Sequence, residues 1–155
     1  MEKRMDYAKA APGALQAMLG MEKYVRSCGL EHSLLELVKT RASQLNGCAF
    51  CLDMHTKDAM AQGESAQRLF ALDAWREAPF YTDRERAALA WTEAITNVQQ
   101  GHVPEAAFQQ ARAHFSETEL TNLTLAIITI NGWNRLAIAF RPEVGSYQPA
   151  TAATK

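Results

Sequence analysis

The segment from Leu120 to Phe140 limits the folds open to this chain more than any other. It is rich in Leu, Ile and Ala, is introduced by Ser116-Glu117-Thr118-Glu119 and is stopped by Pro142. A Ser followed three residues later by a Glu is a capping box, in which each side chain takes a backbone N–H left unpaired at a helix start. A helix of about twenty residues is ~30 Å long at 1.5 Å per residue, and here the apolar side chains run round more than one stripe. Such a helix is expected to be central, buried against the core and against a second subunit.

The rest of the chain reads as helices of the same kind. Residues 1–11 carry no clear period, and Pro12 suits the first turn of a helix running through Leu15, Met18, Leu19 and Val25 to Gly29. Glu31 or Ser33 can cap the next, whose apolar positions Leu34, Leu35, Leu37, Val38, Ala42 and Leu45 follow helical spacing up to the stop at Asn46-Gly47. A third helix begins at or just after Gly47, carries Cys48, Cys51, Met54, His55 and Ala59, and ends at Gly63. Ser65 caps a short one through Leu69, Phe70, Leu72 and Trp75. A second capping box, Thr82-Asp83-Arg84-Glu85, opens Ala88 to Val98, and Pro104 opens a helix through Phe108 and Ala111. No period-2 strand, internal repeat or low-complexity linker interrupts this order. One all-α domain over residues 1–155 is expected, a bundle of six or seven helices with antiparallel neighbours.

Charge removes several classes of partner. Sixteen basic residues against seventeen acidic ones give a net charge of -1, with no excess of positive charge to hold a phosphate backbone or an anionic membrane. The longest apolar run, Leu123 to Ile130, is broken by threonines and falls short of the ~20 residues that cross a bilayer, so no membrane span is expected. Met1 to Asp6 is charged and leads into no apolar segment, so no secretory signal is expected and the cytoplasm is the expected address.

The chemistry gathers between Glu36 and His55. A C-x-x-C in a reducing compartment points to redox or metal chemistry before a structural staple, and Cys28 is left over as a small apolar residue. If the segment from Cys48 is helical, steps of 100° put Cys51 about 60° and His55 about 20° from Cys48 on one face. An i,i+3 pair brings Cα atoms to about 5 to 6 Å, within the span of a disulfide. A thiol with an ordinary pKa of about 8.5 is acidified by a helix N-terminus or a neighbouring imidazolium. A thiolate that attacks a peroxide O–O bond needs a base for its proton, an acid for the leaving oxygen and a second thiol to resolve the sulfenic acid. Glu36, His55 and the cysteine pair offer those groups.

Glu36, eleven residues, Cys48-Ala-Phe-Cys51, three residues and His55 together resemble the E-x11-C-x2-C-x3-H motif of the alkylhydroperoxidase AhpD family, within the carboxymuconolactone decarboxylase-like superfamily. The segment Asn-Arg-Leu-Ala-Ile-Ala-Phe-Arg, 134–141, is similar to its peroxidase-related branch. The resemblance implies an all-helical fold assembled as trimers or hexamers. It implies a thiol peroxidase in which Cys51 becomes the sulfenic acid, Cys48 donates a proton and closes the disulfide, and Glu36 and His55 relay protons. The substrate would be hydrogen peroxide or a small organic hydroperoxide, the reductant a dithiol protein or low-molecular-weight thiol, and no cofactor is required. The alkylhydroperoxidase proper usually has a histidine just before its second motif cysteine, where this chain has Phe50. Lactone decarboxylases of the superfamily typically lack the cysteine pair.

Electrostatics alone nominates Cys48, nearer the helix start, as the more acidic thiol, whereas the family pattern nominates Cys51 as the attacking one. Taken singly, Glu36 follows Ser33 by three and would complete a capping box, and His55 would be a satisfied, partly buried side chain. Two other readings use the same residues: a zinc site of Cys48, Cys51, His55 and Glu36, and a redox-sensing or scaffold oligomer. His32, His102 and His114 read as surface residues, and Trp75, Trp91, Trp133, Met18 and Met21 as packing.

Overall fold

The computed structural model describes residues 2–149, and the stretch 150–155 of the turn-rich tail lies outside them. Among the described residues there are eight α-helices and no strand: α1 Tyr7–Ala10, α2 Pro12–Ser27, α3 His32–Asn46, α4 Ala49–Ala61, α5 Ala66–Ala71, α6 Asp83–Thr96, α7 Glu105–Arg112 and α8 Glu117–Phe140, with a 3-10 turn at Leu72–Ala74. The all-α expectation holds, and the helix count exceeds the expected six or seven. The extra element is α1, a single turn started by the Asp6 carboxylate, which accepts the Lys9 N–H.

Local signals set most boundaries. Pro12 is in the first turn of α2, and both capping boxes form, Thr82 with Glu85 and Ser116 with Glu119. Gly47 ends α3 at φ 66°, ψ 34°, a left-handed conformation that a residue without Cβ enters at little cost. Glu31 stands at the N-cap of α3 without capping it, and its carboxylate accepts from Arg84 instead.

The centre of the bundle is α3 rather than α8. Every residue from Leu34 to Ser43 is buried, Glu36, Lys39, Thr40 and Arg41 included. The charged positions of α3 are paired inside: Arg41 bonds Glu93 at 2.9 Å and also Asp73. α4, α6 and α8 pack against α3, and α2 lies on α8. At Gly132 of α8 the Met18 side chain of α2 comes so near that a Cβ would meet its Cε at 2.9 Å.

α8 is long and apolar enough to cross a membrane by length and composition only, a test that the core helix of a bundle also passes. Its core-facing residues Leu123, Ala126, Ile127 and Ile130 are buried against α2, α3 and α6, while Ile128 and Ile138 are about half exposed. Trp75 and Trp91 are buried as expected, and each indole N–H has a partner, Glu93 and Thr124. Phe70 departs from its expected place in the packing and is 86% exposed, because Leu69 and Leu72 of that short segment take the buried side.

Candidate active site

The end of α3 and the start of α4 build the site. Gly47 turns the chain out of α3, and Cys48 follows as the N-cap of α4 with extended backbone, φ -87° and ψ 95°. Cys48 is thus just outside the helix on which it was expected, and its Sγ accepts the Cys51 N–H at 3.4 Å. Cys51 lies in the first turn, at the positive end of the helix dipole. The two sulfurs are joined, with Cα atoms 5.4 Å apart. One turn further on, at i+4 from Cys51, is His55.

Glu36 comes to this group from the middle of α3. Its Oε2 lies 2.8 Å from His55 Nδ1, and both residues are buried. Glu36 therefore meets His55 instead of completing a capping box with Ser33. With Glu36 ionised and the imidazole neutral, Nδ1 donates and Nε2 keeps the lone pair. That Nε2 is buried and bonded to none of the described residues.

Behind Glu36 lie two residues that the motif does not name. Lys39 Nζ is 3.8 Å from Glu36 Oε1 and 2.7 Å from Glu22 Oε1 on α2. Burial works to raise the Glu22 carboxyl, and the Lys39 ammonium with Arg26 outweighs it and holds Glu22 below its ordinary value. On the other side of His55, Asp58 accepts the Tyr147 hydroxyl at 2.7 Å. Burial, and then that bond to Asp58, push Tyr147 up to about 12. The Tyr147 and Gly145 carbonyls accept from Lys57, which straps the tail onto α4. Sequence spacing gave no signal for these contacts, since Glu22, Lys39 and Tyr147 each look like ordinary surface residues.

The neighbouring end of α3 is fixed by amides. Asn46 donates to Asn134 at 2.8 Å and to Asn131 at 2.9 Å, and Asn134 donates to Ser43. Asn46, read as a turn residue, thus ties the end of α3 to α8 directly before the cysteine pair.

One donor atom each from Glu36, His55 and Asp58 lies within 4.8 Å of the others. Among the described residues this is the grouping that resembles a metal site, and it contains neither cysteine. The four-ligand zinc set of Cys48, Cys51, His55 and Glu36 is not the one the fold gathers, and the Lys39 ammonium already supplies a cation to Glu36. A cavity of about 720 Å³ opens beside the pair, with Cys48, Phe50, Ala137, Ile138, Arg141 and Val144 on its walls.

The sequence profile of the carboxymuconolactone decarboxylase family matches residues 12–94, more than half of the chain and the whole of the site-bearing helices α3 and α4. The chain belongs to that family. It is similar to the uncharacterized protein YdfG of Bacillus subtilis, 43% identical over 94% of this chain and 99% of that one. A solved protein of unknown function from Agrobacterium tumefaciens, provisionally described as an AhpD antioxidant-defence protein, is 46% identical with a TM-score of 0.88, over 96% of this chain and 99% of that one. The fold alone is shared with an uncharacterized peroxidase-related protein of Ralstonia eutropha with an alkylhydroperoxidase AhpD core. That pair is 19% identical with a TM-score of 0.76, over 88% of this chain and 74% of that one. The AhpD-like resemblance read from Glu36, Cys48, Cys51 and His55 is borne out at the level of family and fold.

Proposed function

We propose that this family member is a thiol-dependent peroxidase that reduces hydrogen peroxide or small organic hydroperoxides. The observation that carries the reading is the buried contact of Glu36 with His55, one helical turn from Cys51 and its joined partner Cys48. In the reduced protein, His55 Nε2 takes the Cys51 proton. The Cys51 thiolate attacks the terminal peroxide oxygen, the O–O bond breaks, and the alkoxide leaves with the proton held by His55. Cys51 is then a sulfenic acid. Cys48 attacks its sulfur, the S–O bond breaks, water leaves and the disulfide forms. A dithiol protein or low-molecular-weight thiol, in a reducing compartment such as the cytoplasm, restores both thiols by exchange. Sulfur carries both electrons, so the cycle needs no bound cofactor.

The cavity reaches the pair at Cys48, where the reductant can enter, and its apolar walls at Phe50, Ile138 and Val144 suit an alkyl group. Phe50 stands where a relay histidine is usual, which leaves proton delivery to Glu36 and His55. The half-exposed Ile128 and Ile138 of α8 support assembly as a trimer or hexamer.

The deciding experiment measures peroxide consumption with a dithiol reductant for the native protein and Cys51→Ser. The expected result is loss of turnover in the variant. Equal rates would remove Cys51 from the chemistry and leave a redox-sensing oligomer.

A further inference from the structure

We propose that Lys39, backed by Glu22, is a positioning residue of the proton relay: its charge holds the Glu36 carboxylate as the acceptor for His55 Nδ1, which leaves the buried Nε2 free to take a proton. The inference rests on the reading of His55 as the acceptor of the thiol proton, and it adds two residues that the motif leaves out.

Lys39 is 1% exposed and heads the fully buried side chains by size. An ammonium brought out of water loses several kcal/mol of hydration. Replacing a buried ion pair by apolar residues of similar volume is often neutral or stabilising, so packing alone does not account for three charged groups on and against the central helix. Their arrangement accounts for them. Lys39 touches two carboxylates unequally, Glu22 at 2.7 Å and Glu36 at 3.8 Å. The nearer one fixes the ammonium, and the farther one feels its field while staying free to accept from His55.

The charges linked to the Glu36–His55 pair come from three helices. α2 supplies Glu22, with the mostly exposed Arg26 on its outer side; α3 supplies Glu36 and Lys39; α4 supplies Asp58, held by Tyr147. Each flanking charge sets how readily the imidazole receives a proton.

Removing Lys39 leaves Glu36 buried without its cation, and the Glu36–His55 pair then holds a proton to higher pH and cannot serve as a base below it. Removing the Glu22 charge does the reverse, since the Lys39 field then acts on Glu36 unopposed. The two substitutions should shift reactivity in opposite directions. Loss of packing would not produce that sign pattern.

The experiment follows the rate of iodoacetamide alkylation of the reduced full-length protein against pH. Lys39→Met is expected to raise the midpoint of the rise in rate by about one pH unit, Glu22→Gln to lower it, and the double variant to return it toward the native value. Midpoints that stay put, or that move the same way in both single variants, would overturn the proposal. Should Lys39→Met fail to fold, Glu22→Gln decides alone, and an unchanged or raised midpoint there overturns it. Alkylation involves no peroxide, so opposite shifts in a protein that consumes none would uphold this inference while the peroxidase reading fell.

Discussion

Glu36 Oε2 and His55 Nδ1, nineteen residues apart in sequence, meet at 2.8 Å inside the bundle. Both belong to helices that would be unremarkable apart, and Gly47 makes the contact by turning α4 back along α3. A base oriented in this way contributes typically 10² to 10⁴ in rate. Glu36→Gln keeps the shape of the side chain and removes its charge, so peroxide consumption should fall by a factor on the order of 100 with an unchanged helical circular dichroism spectrum. An unaltered rate would return Glu36 to a purely structural role.

The order of the two sulfurs is open to direct trapping. Cys51 lies one turn from His55, whereas Cys48 is on the cavity wall. In Cys48→Ser, one equivalent of hydroperoxide should leave a sulfenic acid on Cys51 that dimedone captures, read as a mass increment on the peptide containing that residue. In Cys51→Ser the remaining Cys48, outside α4 at its N-cap, should be labelled more slowly. Preferential labelling of Cys48 would invert the assignment and favour the helix-terminus argument.

Assembly follows from a different part of the molecule. α8 leaves Ile128 and Ile138 about half exposed, and burying a side chain of this size contributes about 1.5 to 3 kcal/mol. Sedimentation at micromolar concentration should give the mass of three or six chains, and Ile128→Glu should lower it. A native protein that sediments as a monomer would contradict this.

Short-range signals were the legible part of the fold. Pro12, Gly47, Thr82 with Glu85, and Ser116 with Glu119 act within one turn of the backbone, so their meaning survives without knowledge of the tertiary structure. The site motif was legible for a related reason: Cys48, Cys51 and His55 lie on or at the start of one helix, and only Glu36 had to be brought from another. What was hidden depends on distance along the chain. Nothing near Lys39 in the sequence announces its burial because its partner Glu22 is on another helix, and the same holds for Arg41 with Glu93. These pairings made α3 the centre of the bundle, a place the apolar run of α8 seemed to claim. α1 escaped notice because four residues carry too little periodicity, and Arg4 holds the segment before it through the Ala139 and Phe140 carbonyls at the end of α8.

Acid stability should report on the start of α8. The Glu119 carboxylate accepts the Ser116 N–H at 2.8 Å and an Arg84 N–H at 2.7 Å. The Ser116 backbone bond first, then the Ser116 hydroxyl and Arg84, lower its carboxyl from 4.5 to about 2. A group whose folded value is depressed contributes stability in full above its unfolded value, and that contribution is lost as pH falls through the folded one. The native protein should therefore have a higher urea midpoint than Glu119→Gln at pH 6, and the difference should shrink as pH falls from about 4.5 toward 2. Arg84 also binds Glu31, whose carboxyl it holds below its ordinary value, so Arg84→Met should remove part of the same acid dependence. A difference between native protein and Glu119→Gln that persists unchanged at pH 2 would mean that the side chain acts at the helix start through its shape rather than its charge.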